Sequence, residues 1–324
     1  MMLDTVSAQE NFRVVFYNVE NLFDTHDDKH KNDNEFLPES IRHWNYSRYK
    51  DKLKNIAKVI LASSTDYVPD LVGLCEVEND TCLRDLVRYS PLREAEYRYV
   101  MTNSPDERGI DVALLYQRHS FKLLDYRSIH VPIRSIKRTS TRDILHVSGE
   151  VISGDTLDVF VVHYPSRTGG IKKSEPYRMF VSNVLNNAIN SLKYIRRNPY
   201  ILVMGDFNDY PHNRSLSVLK KSNLYNLMET KDGGSYKYRR NWGMLDQFLV
   251  SGNLLSESGT IRTSEDKATI LRYPFLIKED DKYGGDKPHR TYYGMKYQGG
   301  FSDHLPVCLD LEIFIRDDKD YYSE

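Results

Sequence analysis

The sequence predicts a single layered α/β domain, on three observations. Short apolar runs rich in β-branched and aromatic residues alternate along the chain with two longer amphipathic stretches. Hydrophobic residues make up 40% of the 324, enough for a substantial core. No Pro/Ser-rich linker, internal repeat or low-complexity tract divides the chain. One domain is therefore expected over residues 12–315, between a leader at 1–11 and a charged tail at 316–324.

The first element is Val14-Val15-Phe16-Tyr17, a buried strand. Residues 46–62 place Tyr49, Leu53, Ile56, Ala57 and Ile60 at three-to-four spacing among lysines, the apolar stripe of a helix. Pro69 breaks the chain ahead of an apolar run at 70–75, read as the next strand. Residues 111–116, 121–126 and 144–151 read as strands, the last running towards the turn signal Gly154-Asp155. Another strand at 158–163 ends on His163. A second helix at 175–195 carries Tyr177, Phe180, Val181, Val184, Leu185, Ala188 and Leu192. Strands at 200–204, after Pro199, and at 248–250 follow, and 252–300 read as long surface loops with a strand or two.

The net charge of −1 gives no chain-wide basic balance that would advertise nucleic-acid binding, although a local basic face is compatible with it. Cys75, Cys82 and Cys308 are too few and too scattered for a disulfide framework, and Cys75 and Cys308 lie in apolar runs that suit buried thiols. No apolar run is long enough to span a membrane. Val6-Ser7-Ala8-Gln9 looks like the end of a signal-peptidase site, but no apolar stretch precedes it. A trimmed signal remnant would mean a secreted or periplasmic protein and a plain leader a cytoplasmic one, so the compartment stays open.

The chemistry gathers in acid-rich stretches at the ends of the apolar runs: Asn18-Val19-Glu20, Cys75-Glu76-Val77-Glu78, Gly205-Asp206-Phe207-Asn208-Asp209, Leu245-Asp246-Gln247 and Phe301-Ser302-Asp303-His304-Leu305-Pro306. Carboxylates at strand ends are costly to bury unless something neutralises them, so a shared cation is expected. Asp, Glu and Asn donors point to a hard ion, Mg²⁺, Mn²⁺ or Ca²⁺, and added histidines make a metal-assisted hydrolase. Asp206 and Asn208, two apart on a segment read as extended, should share one face, where the carboxylate deprotonates a water that the amide orients.

These motifs, with His163-Tyr164-Pro165-Ser166-Arg167 between them, resemble in residues and in order the deoxyribonuclease I-like branch of the endonuclease/exonuclease/phosphatase superfamily. The resemblance spans nearly the whole chain. It implies a four-layer αββα sandwich of two mixed β-sheets, with the site where strand ends and loops of both sheets meet. It implies Mg²⁺ or Mn²⁺ held by Glu76 with Asn18 and Asp303, and His163, Asp206, Asn208, Asp246 and His304 as catalytic residues, Asp246 orienting His304. Phosphate contacts are expected from Asn18, Arg108 and Arg167, with Glu20 and Glu107 in support, Glu107 as the partner acid of His163. The implied function is divalent-metal-dependent phosphodiester hydrolysis by in-line attack of water. A monomeric nuclease without sequence readout is favoured over a phosphatase or phospholipase-type enzyme acting on lipid, inositol or sugar phosphates. Arg134, Lys137, Arg138 and Arg142, Lys172-Lys173 and Arg239-Arg240 are weaker candidates for substrate contact. Trp242 suits stacking or core packing, and Gln247 departs from the His or Tyr that many nucleases carry there, which leaves the leaving-group side open.

Overall fold

The computed structural model describes residues 9–64, 66–136 and 140–315. Residues 1–8 of the leader expected at 1–11, the tail at 316–324, and Lys137 and Arg138 lie outside them, while residues 9–11 are not leader but open the first strand. In chain order the strands of the two large sheets are β1 (Gln9–Leu22), β2 (Leu71–Val77), β3 (Arg98–Met101), β4 (Asp111–Tyr116), β5 (Phe121–Ile129), β6 (Ile144–Val151), β7 (Thr156–His163), β8 (Tyr200–Asp206), β9 (Leu224–Asn226), β10 (Asp246–Ser251), β11 (Ile261–Arg262), β12 (Ala268–Ile270) and β13 (Val307–Phe314). The 7-stranded sheet has the order β11-β13-β1-β2-β4-β3, with β12 also on β13; the 6-stranded sheet has the order β5-β6-β7-β8-β10-β9. Both are mixed: β1 runs parallel to β2 and β7 parallel to β8, among antiparallel neighbours.

Strand alternation builds the layers. In β1, Val14 and Phe16 turn towards the second sheet, while Val15 and Tyr17 turn outward onto the helices α1 (Tyr46–Ala62) and α2 (Asp80–Tyr89). In β8, Leu202 and Met204 fill the space between the sheets, and Ile201 and Val203 meet α3 (Ile171–Ile195) and α4 (Arg214–Lys220) on the other side. Both sheets are thus covered on both faces, so their strands read as continuous apolar runs. The result is the four-layer αββα sandwich that the resemblance implies. Asn45 and Asn79 cap α1 and α2, each side chain accepting a backbone N–H of the first turn.

The helix expected at 175–195 begins earlier, at Ile171; periodicity does not mark Ile171, Lys172 and Lys173, which are exposed and add nothing to its apolar stripe. Residues 252–300 hold more strand than expected. Besides β11 and β12 they form the hairpins Ile277–Glu279 with Asp286–Pro288 and Tyr292–Tyr293 with Lys296–Tyr297. Pieces of two or three residues are too short for a periodic signal. The three cysteines are free and buried. Among the described residues no helix is long and apolar enough to cross a membrane.

Candidate active site

Three neighbouring strands of the second sheet bring their functional residues into one transverse row. His163, the last residue of β7, pairs in register with Asp206, the last of β8, and Asp206 pairs with Asp246, the first of β10. Alternation continued from Val159 and Val161, from Leu202 and Met204, and from Phe248 and Val250 turns all three towards the other sheet. Asn18 continues the same face of β1 beyond Val14 and Phe16. The site is therefore the polar end of the inter-sheet core.

Glu76 breaks the pattern. Cys75 belongs to the inter-sheet core, so a regular strand would send Glu76 outward. Instead its φ is 64° and the pairing of β2 with β4 shifts between Cys75 and Val77. Its Oε1 lies 3.9 Å from His163 Nε2 and 3.8 Å from an Arg108 guanidinium nitrogen, while the Asn21 N–H donates to Oε2 at 3.0 Å. A glutamate held at positive φ is a backbone outlier of the kind that concentrates at functional sites.

Asp206 is buried and heavily solvated by protein. Its Oδ2 accepts from the amides of Asn18 at 3.1 Å and Asn208 at 3.2 Å, and its Oδ1 accepts the Asn208 N–H at 2.9 Å. His163 Nε2 stands 3.6 Å from that Oδ2 and His304 Nε2 3.9 Å. His304 Nδ1 lies 2.7 Å from Asp246 Oδ2. The two imidazoles are driven apart electrically. Burial would lower the pKa of His304, but the Asp246 and Asp206 carboxylates outweigh it and push it up to about 10. Burial, and then the charges of Arg142, Arg108 and His304, hold His163 well below the ordinary range. The environment thus favours the charged form of His304 and the neutral form of His163. Burial, helped by the Asp246 and Glu76 charges, pushes Asp206 up to about 7 against the pull of His304.

Several expectations need correction. Asn208 does not lie on an extended segment: β8 ends at Asp206 and Asn208 has φ 49°, so the two side chains meet across a tight turn rather than by strand alternation. Arg167 is not free for phosphate. Its Nε donates to Asn208 O at 2.7 Å and its Nη2 meets Asp209 Oδ1 at 3.2 Å and Asn213 Oδ1 at 3.1 Å. It pins the loop after β8, because buried Asp209 needs cations and takes Arg178 as well. Glu107 is exposed and is not the partner of His163, whose Nδ1 is buried with no hydrogen-bond partner among the described residues. The buried acid of that loop is Asp106, which faces Arg142 at 3.4 Å. Arg142 also donates to Tyr164 O at 2.6 Å and is buried, so it offers substrate nothing. Asp303, expected on the metal, pairs with Arg290 at 2.9 Å through Oδ2.

Glu20 takes the same Arg290 at 2.9 Å and the Thr291 N–H at 2.7 Å, which ties the loop at 290–303 to β1. Lys52 reinforces the tie from beneath, its buried ammonium donating to Thr291 Oγ1 and Phe301 O, both at 2.6 Å. Gln247 points away from the site into the interior, donating to Asp209 O at 2.7 Å. Trp242 is half-buried under the Arg272 guanidinium, 4.4 Å from its ring. Sequence reasoning missed Arg290, Lys52 and Tyr236, whose ring lies 4.9 Å from that of His304. Lys52 sits on a regular helix among other lysines, and Arg290 and Tyr236 sit in short irregular segments without periodicity.

The model of the Endonuclease/Exonuclease/phosphatase family matches residues 13–313. The chain belongs to that family. Members hydrolyse phosphoesters, and the chain is an enzyme of that class. Among solved structures it is similar to an endonuclease/exonuclease/phosphatase family protein from Bacteroides thetaiotaomicron, at 15% identity and a TM-score of 0.60 over 98% of this chain and 99% of that one. The human Nocturnin catalytic domain with bound sulfate follows at 18% identity and 0.60, over 95% and 97%. A mannosyl-6-phosphatase of B. thetaiotaomicron shows 16% identity and 0.58, over 93% and 99%. At such identities the likeness is one of fold. No curated protein sequence matches.

The donor set suits the divalent ion typical of this family. Among the described residues, Asp246 Oδ1 is buried with no partner, and Glu76 Oε1 meets Arg108 and His163, both beyond hydrogen-bond distance. Oxygen donors with spare lone pairs in an interior rich in carboxylates call for a hard cation.

Proposed function

We propose that this enzyme is a divalent-metal-dependent phosphodiesterase whose substrate is nucleic acid, cleaved without sequence readout. The observation that carries the catalytic part is the pair of imidazoles on either side of Asp206, their Nε2 atoms 3.6 and 3.9 Å from its Oδ2, with Glu76 against His163. Asp206 is the base: its amide donors fix its orientation for abstracting a proton from water. As the water oxygen bonds to phosphorus, the bond from phosphorus to the leaving oxygen breaks. Charge then grows on the non-bridging oxygens, where His304 donates from Nε2, its charge maintained by Asp246. Neutral His163 keeps one N–H, and the carboxylates beside Nε2 favour the proton there as a second donor. A divalent ion held by Glu76, with Asn18 and Asp206 as neighbouring donors, supplies Lewis-acid polarisation of the phosphoryl group when bound.

Nucleic acid is favoured because Arg108 stands half-exposed at the rim beside Glu76, and because the second histidine is the feature the resemblance links to the nuclease branch. A specific observation keeps a sugar- or inositol-phosphate reading in play. A cavity of about 150 Å³ beside Glu20 is lined by Arg42, Trp44, Arg290 and Tyr292 and could seat one compact anionic group. Assays with and without Mg²⁺ on plasmid DNA, abasic duplex, RNA, bis-p-nitrophenyl phosphate, sphingomyelin and a sugar phosphate separate the two. Nicked plasmid supports the nuclease; turnover of the sugar phosphate or lipid alone replaces it.

A further inference from the structure

A hairpin of Tyr236–Tyr238 with Asn241–Gly243 stands beside the catalytic row and takes no part in the hydrolysis. Its root is fixed to that row. Tyr236 forms a backbone bridge with His304 and holds its ring 4.9 Å from the imidazole. Ser235 O accepts the Leu305 N–H at 2.7 Å, and Ser235 Oγ accepts the Asp246 N–H at 3.1 Å. One face of the hairpin packs on the protein. Lys237, its side chain 4% exposed, donates to Asp280 Oδ2 at 3.1 Å and Gly284 O at 2.7 Å, and Trp242 opposite it lies under Arg272.

The other face carries Tyr236 and Tyr238, with Gly243 opposite Tyr236. A Cβ on Gly243 would fall 2.4 Å from the ring of Tyr210, which therefore packs on bare backbone. Tyr210 is partly exposed and stacks on Arg167, which in turn holds Asn208 O. Tyr238 is 59% exposed. An aromatic ledge thus runs from the loop of Asn208, past His304, to the hairpin tip. The tip is Arg239-Arg240, a two-residue turn. Such turns call for Gly, Asn or Asp where φ is positive, yet Arg239 stands at φ 55°. Both arginines are exposed, and among the described residues neither meets a carboxylate; Arg239 instead lies over the Tyr238 ring, 5.3 Å from its centre. Two free cations on a strained turn do not serve stability, and backbone outliers of this kind gather at functional sites.

We infer that this ledge is the platform for a single-stranded nucleic acid, with Arg239 and Arg240 on its phosphates and Tyr238 stacked on a base. At about 3.3 Å per strand residue the tip stands about 10 Å from Tyr236, so it meets the strand a few nucleotides from the scissile bond and not at the reacting atoms. The inference rests on the nucleic-acid reading and narrows it. Stacking on an exposed ring needs a base whose face is free, which a single strand offers and a duplex withholds. Cations beside such a ring track the backbone of any sequence, which suits an enzyme without sequence readout.

The test uses the full chain in EDTA and a fluorescein-labelled oligothymidylate of about twelve nucleotides, alone or paired with its complement, read by anisotropy. Mg²⁺-dependent cleavage of the strand and of bis-p-nitrophenyl phosphate is measured separately. The single strand should bind more tightly than the duplex. Arg239→Gln combined with Arg240→Gln should weaken strand binding about tenfold or more and flatten its salt slope by about 1.4, two contacts at about 0.7 each. Tyr238→Ser should weaken binding about tenfold, and Tyr238→Phe, which keeps the ring, should retain it. Strand cleavage should fall through KM, by about ten times more than any change on bis-p-nitrophenyl phosphate. Tighter binding of the duplex would overturn the inference. If the parent cuts the strand and the variants bind and cut it equally well, the inference alone falls. If the parent turns over bis-p-nitrophenyl phosphate but neither binds nor cuts any strand, the nucleic-acid reading falls with it.

Discussion

Asp246→Asn isolates the contribution of the Asp246 carboxylate to the catalytic charge pattern. The amide keeps nearly the same shape and can still accept a hydrogen bond from His304 Nδ1, now 2.7 Å from Asp246 Oδ2, but it carries no charge. Asp246 is the largest influence raising His304, and it also raises Asp206. Both limbs of the kcat/KM profile should therefore move to lower pH: the acidic limb, where Asp206 becomes a base, and the basic limb, where His304 loses its proton. Asp206 still faces His304, so the basic limb should stop short of the ordinary imidazole value of about 6.5. A fall of about two units is expected, and each unit is worth about 1.4 kcal/mol. The variant should thus lose activity progressively above neutrality, about tenfold per pH unit until the new plateau, and least near pH 6. Stability follows the same sign. A raised histidine pKa contributes stability that is fully present below about 6.5 and is lost as pH rises through about 10. The gap in urea stability between parent and variant should therefore close at alkaline pH. Profiles with bis-p-nitrophenyl phosphate at saturating Mg²⁺ read the shift directly. An equal loss at every pH from 5.5 to 9.5, with limbs unmoved, would refute the charge argument and leave Asp246 a purely structural role.

Other consequences can be measured more simply. Glu76→Gln should abolish turnover at ordinary Mg²⁺ and recover part of it at high Mn²⁺, and unchanged Mg²⁺ dependence would remove Glu76 from the metal site. Asp209→Ala strips Arg178, which is fully buried, of its partner at 2.8 Å and also releases Arg167. Breaking such a buried pair costs about 3–5 kcal/mol, visible as a lower urea midpoint. Arg108→Ala should weaken plasmid binding across all sequences and reduce the salt slope by about one, while a small diester is spared. Gly205→Ala should destabilise strongly, because its Cβ would fall 2.2 Å from Val162 O on the neighbouring strand, and a soluble variant of unchanged melting temperature would contradict that packing.

How much of this was legible in the sequence depends on what set each position. β2, β4, β6, β8 and α1 are long, apolar and bounded by turn residues, so periodicity finds them. Asp206, Asp246 and His163 end or begin such strands, and their convergence follows from register once the sheet exists. Asn208 reached the expected neighbour by an unexpected route, since a positive φ after the strand cannot be read from an Asp-Phe-Asn run. Arg167, Asp303 and Glu107 were assigned by position in a motif, but their partners come from other segments: Asp209 and Asn213, Arg290, and the loop around Ser140. A single chain gives no sign of those long-range choices. Arg290 in particular lies in a stretch whose strands have two or three residues, and only the fold reveals that it joins Glu20 to Asp303.

The central claim is most directly tested by plasmid nicking, with the parent enzyme and Asp206→Asn run side by side with Mg²⁺ and with excess EDTA. The account predicts nicks that accumulate with Mg²⁺, fade as salt rises, vanish in EDTA and fall by about 10²-fold or more in Asp206→Asn. Full activity of the parent in EDTA would contradict the hydrolytic mechanism. Intact plasmid across Mg²⁺, Mn²⁺ and Ca²⁺, while a phospholipid or phosphosugar is turned over, would contradict the nuclease assignment.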